Sequence, residues 1–398
     1  MSALLLIIIY LIFVSLGLPD SFLGTCWPSI HASLNVPESF QGVCTIVVCL
    51  CTIAAAFASS PLQKKFSTFK IIFVSICLTV IGIFGLYFSP NIVVMIISMI
   101  PLGFGAGAID SVLNNYVAIN YQAKQLHFLH GCWSLGAIIS PIASSFFLVD
   151  PEGWRNALLL LGIIQSVILL ISFISKPLWK NNKKVVEEET KETKLSFLNT
   201  FKIRGVFFII LAFFFLSACE ALVFSWFTSM MVFSFDVPNE VAAGWIIYVY
   251  VGYTIVRIIS GFISSKISDK NIIRIFSIIF LIAVIFLMFN KNLELTPIIT
   301  FFLGFGLGPI YPAIIHDTPN KFTKELSGNI MGIQVGCAYI ALVTISPLFG
   351  VVGEHFGFHL LPIVLLICTI LTFVFAELSN ALTKDKSRLL ENIKNPTK

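Results

Sequence analysis

Apolar residues along this chain gather in long runs separated by short polar stretches. The runs lie near 4–28, 40–61, 70–89, 92–118, 127–148 and 154–176, then near 206–231, 242–264, 272–289, 296–316, 328–352 and 358–379. A helix needs roughly 20 mostly apolar residues to cross the hydrocarbon of a bilayer, and the runs approach that length. Backbone N–H and C=O groups in lipid must be satisfied within their own segment, which makes these runs helices. A membrane barrel would alternate apolar and polar residues over short strands, and these runs do not. The pattern predicts an all-α membrane protein with 12 transmembrane helices. The first run lacks a basic stretch before it and leads into "GLPDSFLG". It reads as a retained helix and not as a cleaved signal peptide.

Composition agrees with this reading. The chain is 57% hydrophobic and 11% charged, where a soluble domain carries roughly 25% charged residues, so lipid must be its solvent. The nine Cys fall inside apolar runs, with no C-x-x-C and no His at ligand spacing. They read as small packing residues, and no metal site is expected.

Charge sets the orientation. With the amino terminus inside, Arg155 and Lys291 face outward and Arg257 lies within a helix. The rest of the 25 Lys and Arg fall in cytoplasmic loops or tails. That is the positive-inside signature, and it places both termini in the cytoplasm. The net charge of +5 therefore reflects membrane orientation, not nucleic-acid binding. The longest polar stretch, "KPLWKNNKKVVEEETKETKLSFLNTFK" at 176–202, lies near the middle of the chain. It reads as a solvated linker. The expected organisation is a six-helix half at 1–176, a cytoplasmic linker at 177–203, a second six-helix half at 204–380 and a cytoplasmic tail at 381–398.

The two halves share a phrase. "LGFGAGAID" begins at 102 and "LGFGLGPIY" at 303, each on the fourth span of its half. The glycines permit close helix contact. The first copy ends on Asp110, where the second has Tyr311. A parallel duplication of six helices resembles the major facilitator architecture.

Four full charges fall well inside spans: Asp20, Asp110, Glu220 and Arg257. An ionisable group at bilayer depth costs several kcal/mol and by default marks a functional site. Asp110 shares a helix face with Asn114, and Asn115 lies close by. A carboxylate beside carboxamides suits a site for hydroxyls and protons; the competing reading is a structural contact between helices. Asp20 follows Pro19, so it either belongs to the site or caps an irregular break. Trp27 either stacks on a sugar ring or anchors the interface. Glu220 and Arg257 either form a structural ion pair, or Glu220 binds substrate or proton directly. His130 either relays protons or packs through a hydrogen bond. Trp133, Gln334, Tyr311 and Tyr339 complete the set of candidate substrate contacts.

The run "GFGAGAIDSVLNNYVA" followed by "LHFLHGCWSLGAIISP" resembles the fucose permease-like branch of the major facilitator superfamily. "PDSFLGTCWP", "CEALVFSWF" and "VGYTIVRIISG" resemble that branch's motifs on the first, seventh and eighth helices, so the resemblance spans nearly the whole chain. It implies a proton-coupled sugar symporter acting by alternating access, with the proton-linked positions falling on Asp20 and Asp110 and an Asn at 114. The driving force would be the proton gradient, without a cofactor, and the superfamily default is a monomer. The expected location is a plasma membrane, of the bacterial inner type. There are two departures. The loop after the second span reads "SSPLQKKFSTFK" and lacks the Asp of G-x-x-x-D-R-x-G-R. "GAIISPIASS" partly resembles the fifth-helix motif of drug antiporters. The alternative is therefore a proton-coupled antiporter exporting drugs or metabolites. Neither aspartate lies in G-x-G-D, and no P-loop occurs, so an enzyme is not expected.

Overall fold

The computed structural model describes residues 3–121, 123–179, 200–201, 203–263, 266–322 and 324–383. The described residues form helices and short turns, with no strand among them. In chain order the helices are α1 (Ala3–Leu34), α2 (Phe40–Lys65), α3 (Thr68–Tyr87), α4 (Ile92–Asn120), α5 (Ala123–Phe147) and α6 (Gly153–Ile174). Then follow α7 (Val206–Phe235), α8 (Asn239–Ile263), α9 (Asp269–Phe289), α10 (Thr296–Leu307), α11 (Ile310–Lys321), α12 (Lys324–Phe356) and α13 (Leu361–Leu382). Among the described residues, 11 segments are long and apolar enough to cross a membrane, with Leu293–Lys321 running through α10 and α11. The α5 helix is the one long helix outside that set.

Every apolar run meets a helix, with one departure. The tenth run is two helices, parted at Gly308 and Pro309. Pro309 has no N–H for the carbonyl of Phe305, and Pro312 has none for the carbonyl of Gly308. The ladder stops at the Gly308 N–H, which donates to Gly304 O at 3.0 Å. It resumes where the Ala313 N–H donates to Pro309 O at 3.1 Å. Asn91 caps α4 by accepting from Val94 N at 3.1 Å. At the end of α12, Gly357 adopts φ 98°, a left-handed value that glycine tolerates best.

The helices are inside out relative to a soluble protein. On α6 the exposed positions are Leu160, Ile163, Val167, Leu170 and Ile174, while Leu161, Gln165 and Ile168 are buried. On α9 Ile275, Ile278, Ile282 and Phe289 are exposed over buried Phe276, Phe280 and Ala283. Spacings of three and four make these continuous apolar stripes, which is the surface a lipid solvent favours.

Two compact units form. The first holds α1 to α6 with Phe224–Tyr250 and Pro347–Phe358. The second holds the rest of α7 and α8, then α9 to α11, the first part of α12, and α13. The division thus runs through α7, α8 and α12. In the first unit α1 packs on α5, α2 on α4, and α3 on both α4 and α6. In the second, α9 packs on α10, α11 and α13. The expected linker lies mostly on residues 180–199 and 202, outside the described residues.

The glycines of the repeated phrase seat backbones against each other. A Cβ on Gly103 would meet Val48 O at 2.7 Å, and one on Gly107 would meet Thr52 Cα at 2.7 Å. In the second copy, a Cβ on Gly306 would meet Phe280 Cα at 2.6 Å, and one on Gly308 would meet Tyr253 O at 2.8 Å. Backbone cannot move aside as a side chain can. Gly107→Val is therefore expected to cost about 1–3 kcal/mol by overpacking, read as a lower melting temperature and yield in detergent. Gly131→Ala, with nothing within 4 Å of the added carbon, is expected to leave both unchanged.

Candidate functional site

In the first unit the charged positions lie on α1 and α4. Asp20 follows Pro19 within an unbroken α1, and it is exposed. An exposed carboxylate midway along an apolar helix needs a partner or water. Its partner is the Trp133 indole, whose Nε1–H donates to Asp20 Oδ2 at 2.7 Å. Small residues make this reach possible: a Cβ on Gly17 would meet Ala137 N at 2.8 Å, and one on Gly136 would meet Gly17 Cα at 3.1 Å. With α1 and α5 this close, one turn on, the indole spans the remaining gap.

Asp110 is half-buried on α4, where Asn114 Nδ2 donates to Asp110 Oδ1 at 3.0 Å. This is the i,i+4 contact that the spacing predicts. The Asn114 Oδ1 is buried without a partner among the described residues, so an acceptor remains for a donor from outside. Beside Asp110 and Asn114 on α4, Asn115 Nδ2 donates to Gln63 Oε1 at 2.9 Å, and the Ser59 and Ser111 hydroxyls bond at 2.6 Å. The α2 partners Ser59 and Gln63 extend the polar face, and reading the sequence one helix at a time did not reveal them.

In the second unit, Glu220 and Arg257 do not touch: no direct ion pair joins them among the described residues. The expected pair is relayed through Tyr253. Its hydroxyl donates to Glu220 Oε1 at 2.8 Å and accepts from Arg257 Nη2. Arg257 also stacks on the Tyr253 ring, 4.1 Å from its centroid. Its Nε donates to Gly308 O at 3.2 Å. That carbonyl is the one Pro312 leaves unserved at the break between α10 and α11. The broken helix therefore fixes the arginine, the arginine fixes the tyrosine, and the tyrosine holds the carboxylate. The spacing of Tyr253 and Arg257, four apart on α8, was the available signal for this network.

The remaining candidates separate. Trp27 is fully buried, and its ring N–H donates to Glu38 O at 2.7 Å. In this arrangement its ring has no exposed face. Gln334 is also fully buried; its Oε1 accepts from Thr318 Oγ1 at 3.3 Å. In this arrangement it is not presented to a solute. His130 is exposed on α5, edge-on to Phe13 at 6.0 Å. Tyr311 is half-buried with its ring 4.6 Å from Phe213, and Tyr339 is half-buried on α12. No cluster of three or more His, Cys, Asp or Glu suited to a metal occurs among the described residues.

Taken chemically, the first unit presents two carboxylates, a carboxamide and an indole N–H. The second presents a carboxylate and a guanidinium joined by a phenol. Such groups bind hydroxyls and exchange protons, and nothing in them resembles a nucleophile with its base.

The Major Facilitator Superfamily profile matches residues 9–343 and 239–392. No curated protein sequence matches the chain. Solved structures share the fold. One is a nucleoside transporter, NupG, with TM-score 0.74 and 14% identity, covering 94% of this chain and 98% of that one. Another is a D-xylose-proton symporter, with TM-score 0.73 and 14% identity, covering 93% and 97%. A third is the E. coli fucose:proton symporter, with TM-score 0.62 and 14% identity, covering 95% and 98%.

Proposed function

Because the chain belongs to the major facilitator superfamily, we propose that this transporter is a proton-coupled symporter of a sugar or a similar small polar solute. The observation that carries the reading is the pair of membrane-depth carboxylates, Asp20 and Asp110, each held by one neutral donor, Trp133 or Asn114. Neutral donors leave a carboxylate free to take a proton, whereas a fixed cation would oppose protonation. The solute's hydroxyls meet the carboxamides and Trp133. Proton and solute then cross together as the site opens to each side in turn. The proton gradient is the only energy source required, with no cofactor. The protein acts as a monomer in a plasma membrane of the bacterial inner type, with both termini cytoplasmic. Two of the structural neighbours are proton symporters of sugars, which supports the solute class.

The test is purified protein in liposomes carrying an internal pH dye, with fucose, glucose, galactose and mannose added singly. Internal acidification on adding one sugar is the expected result. Silence across the panel, with proton efflux driven by an amphipathic cation, would replace symport by antiport.

A further inference from the structure

The network in the second unit has a property that the two aspartates lack. Tyr253 is 3% exposed, yet its hydroxyl is committed on both sides, to Arg257 and to Glu220. Arg257 and Glu220 are only half-buried. Among the described residues, the guanidinium's hydrogen bonds beyond Tyr253 are made through Nε to Gly308 O alone, with none from Nη1. Among the described residues, Glu220 accepts a hydrogen bond through Oε1 alone. Donor and acceptor are thus both half-buried and bridged by one phenol oxygen. The group is neutral overall, since one cation and one anion share it.

We propose that Glu220, Tyr253 and Arg257 form the solute-reading element of the second unit, with Tyr253 as the positioning residue that sets the spacing of the other two. The matching ligand chemistry is a pair of neighbouring hydroxyl groups on an uncharged solute: one donates to Glu220, and its neighbour accepts from Arg257. A charged solute would leave one member of the pair opposed to it. A vicinal diol occurs both in monosaccharides and in the ribose of nucleosides. This inference rests on the reading of the chain as a carrier of small polar solutes, and it names the residues that select among them.

The role of Tyr253 is mechanical in a specific sense. Without its hydroxyl the Arg257 head keeps, among the described residues, Gly308 O and the ring face, and Glu220 loses the hydrogen bond it accepts there. The two groups then either collapse onto each other as a direct ion pair or separate. In both cases the spacing that the Tyr253 hydroxyl sets between them is lost. A hydrogen bond to a charged group contributes roughly 1.5–3 kcal/mol, or about 10- to 100-fold in affinity.

The experiment measures binding and transport on the same nanodisc or liposome preparations. The probes are fucose, glucose, galactose and mannose, together with uridine and 2′-deoxyuridine, which differ by one hydroxyl of the diol. Wild type is expected to bind one arm of the panel, and to prefer uridine over 2′-deoxyuridine if that arm is the nucleoside. If the arm is a sugar, its deoxy analogue at the diol is expected to bind about 10- to 100-fold more weakly. Tyr253→Phe keeps the ring and its stacking. It is expected to raise KM and Kd about 10- to 100-fold, to bind the diol and its deoxy analogue equally, and to keep the proton-to-solute ratio at saturation. Glu220→Gln is expected to weaken binding with the same loss of diol preference.

Wild-type KM and diol preference in Tyr253→Phe would overturn the inference while leaving the symport reading intact. Loss of the proton-to-solute ratio with KM unchanged would also overturn it, placing Tyr253 in coupling. Binding of no panel member by wild type would overturn both. Matched elution and melting of the variants separate these outcomes from misfolding.

Discussion

Asp110→Asn is expected to abolish uphill accumulation of the solute while leaving exchange of labelled for unlabelled solute across the membrane. The replacement keeps the shape of a protonated carboxyl and an oxygen for the Asn114 amide, which now donates at 3.0 Å. What it removes is the ability to lose the proton. A symporter driven one-to-one by a one-unit pH gradient holds about tenfold more solute inside than outside, which equals 1.4 kcal/mol. In the variant that ratio should sit at unity, with no acidification of the lumen during uptake. Exchange requires only the loaded carrier to reorient, and a permanent neutral group at 110 mimics that state. The measurement is a time course of labelled solute in liposomes at fixed pH gradient, followed by a chase with unlabelled solute. Wild-type accumulation by Asp110→Asn would remove Asp110 from the coupling step. Loss of exchange as well as accumulation would make Asp110 a solute ligand first.

The architecture was legible because lipid imposes one rule on every span, and that rule acts locally. Long apolar runs and the phrase repeated at 102 and 303 are both local signals. The break in the tenth span was also written locally, in Gly308, Pro309 and Pro312, but its consequence was not. The carbonyl that Pro312 leaves open is served by Arg257 from α8, some 50 residues earlier in the chain. The same holds for the site. Asp110 with Asn114 follows from helix spacing alone, whereas Asp20 with Trp133, Asn115 with Gln63 and Glu220 with Tyr253 each join two helices. Facing residues on different helices carry no periodic signal, and between α1 and α5 the close approach that brings Asp20 to Trp133 is permitted by Gly17 and Gly136. Trp27 and Gln334 show the converse: their residue types suit a solute, but their helix faces turn inward.

The link between Trp133 and Asp20 carries the second large effect. Trp133→Phe preserves an aromatic ring on α5 and removes only the N–H that now reaches Asp20 Oδ2 at 2.7 Å. Two accounts of Trp133 diverge at this substitution. If the ring merely packs α5 on α1, then phenylalanine supplies most of the contact, and transport should change little while the melting temperature falls. If the indole N–H holds the Asp20 carboxylate in the geometry that receives proton or solute, the loss is that of a charge-assisted hydrogen bond. Such a bond contributes roughly 1.5–3 kcal/mol, so kcat/KM is expected to fall about 10- to 100-fold with melting nearly unchanged. Asp20→Asn alone should cost at least as much, because it removes the titrating group together with the strength of the bond. The double variant decides the matter. If the two side chains act as one unit, Trp133→Phe should add almost nothing in the Asp20→Asn background. Additive losses would instead mean that the indole meets the solute on its own account. Asp20 would then take its proton without guidance from α5, and the closeness of α1 and α5 at Gly17 and Gly136 would serve packing alone.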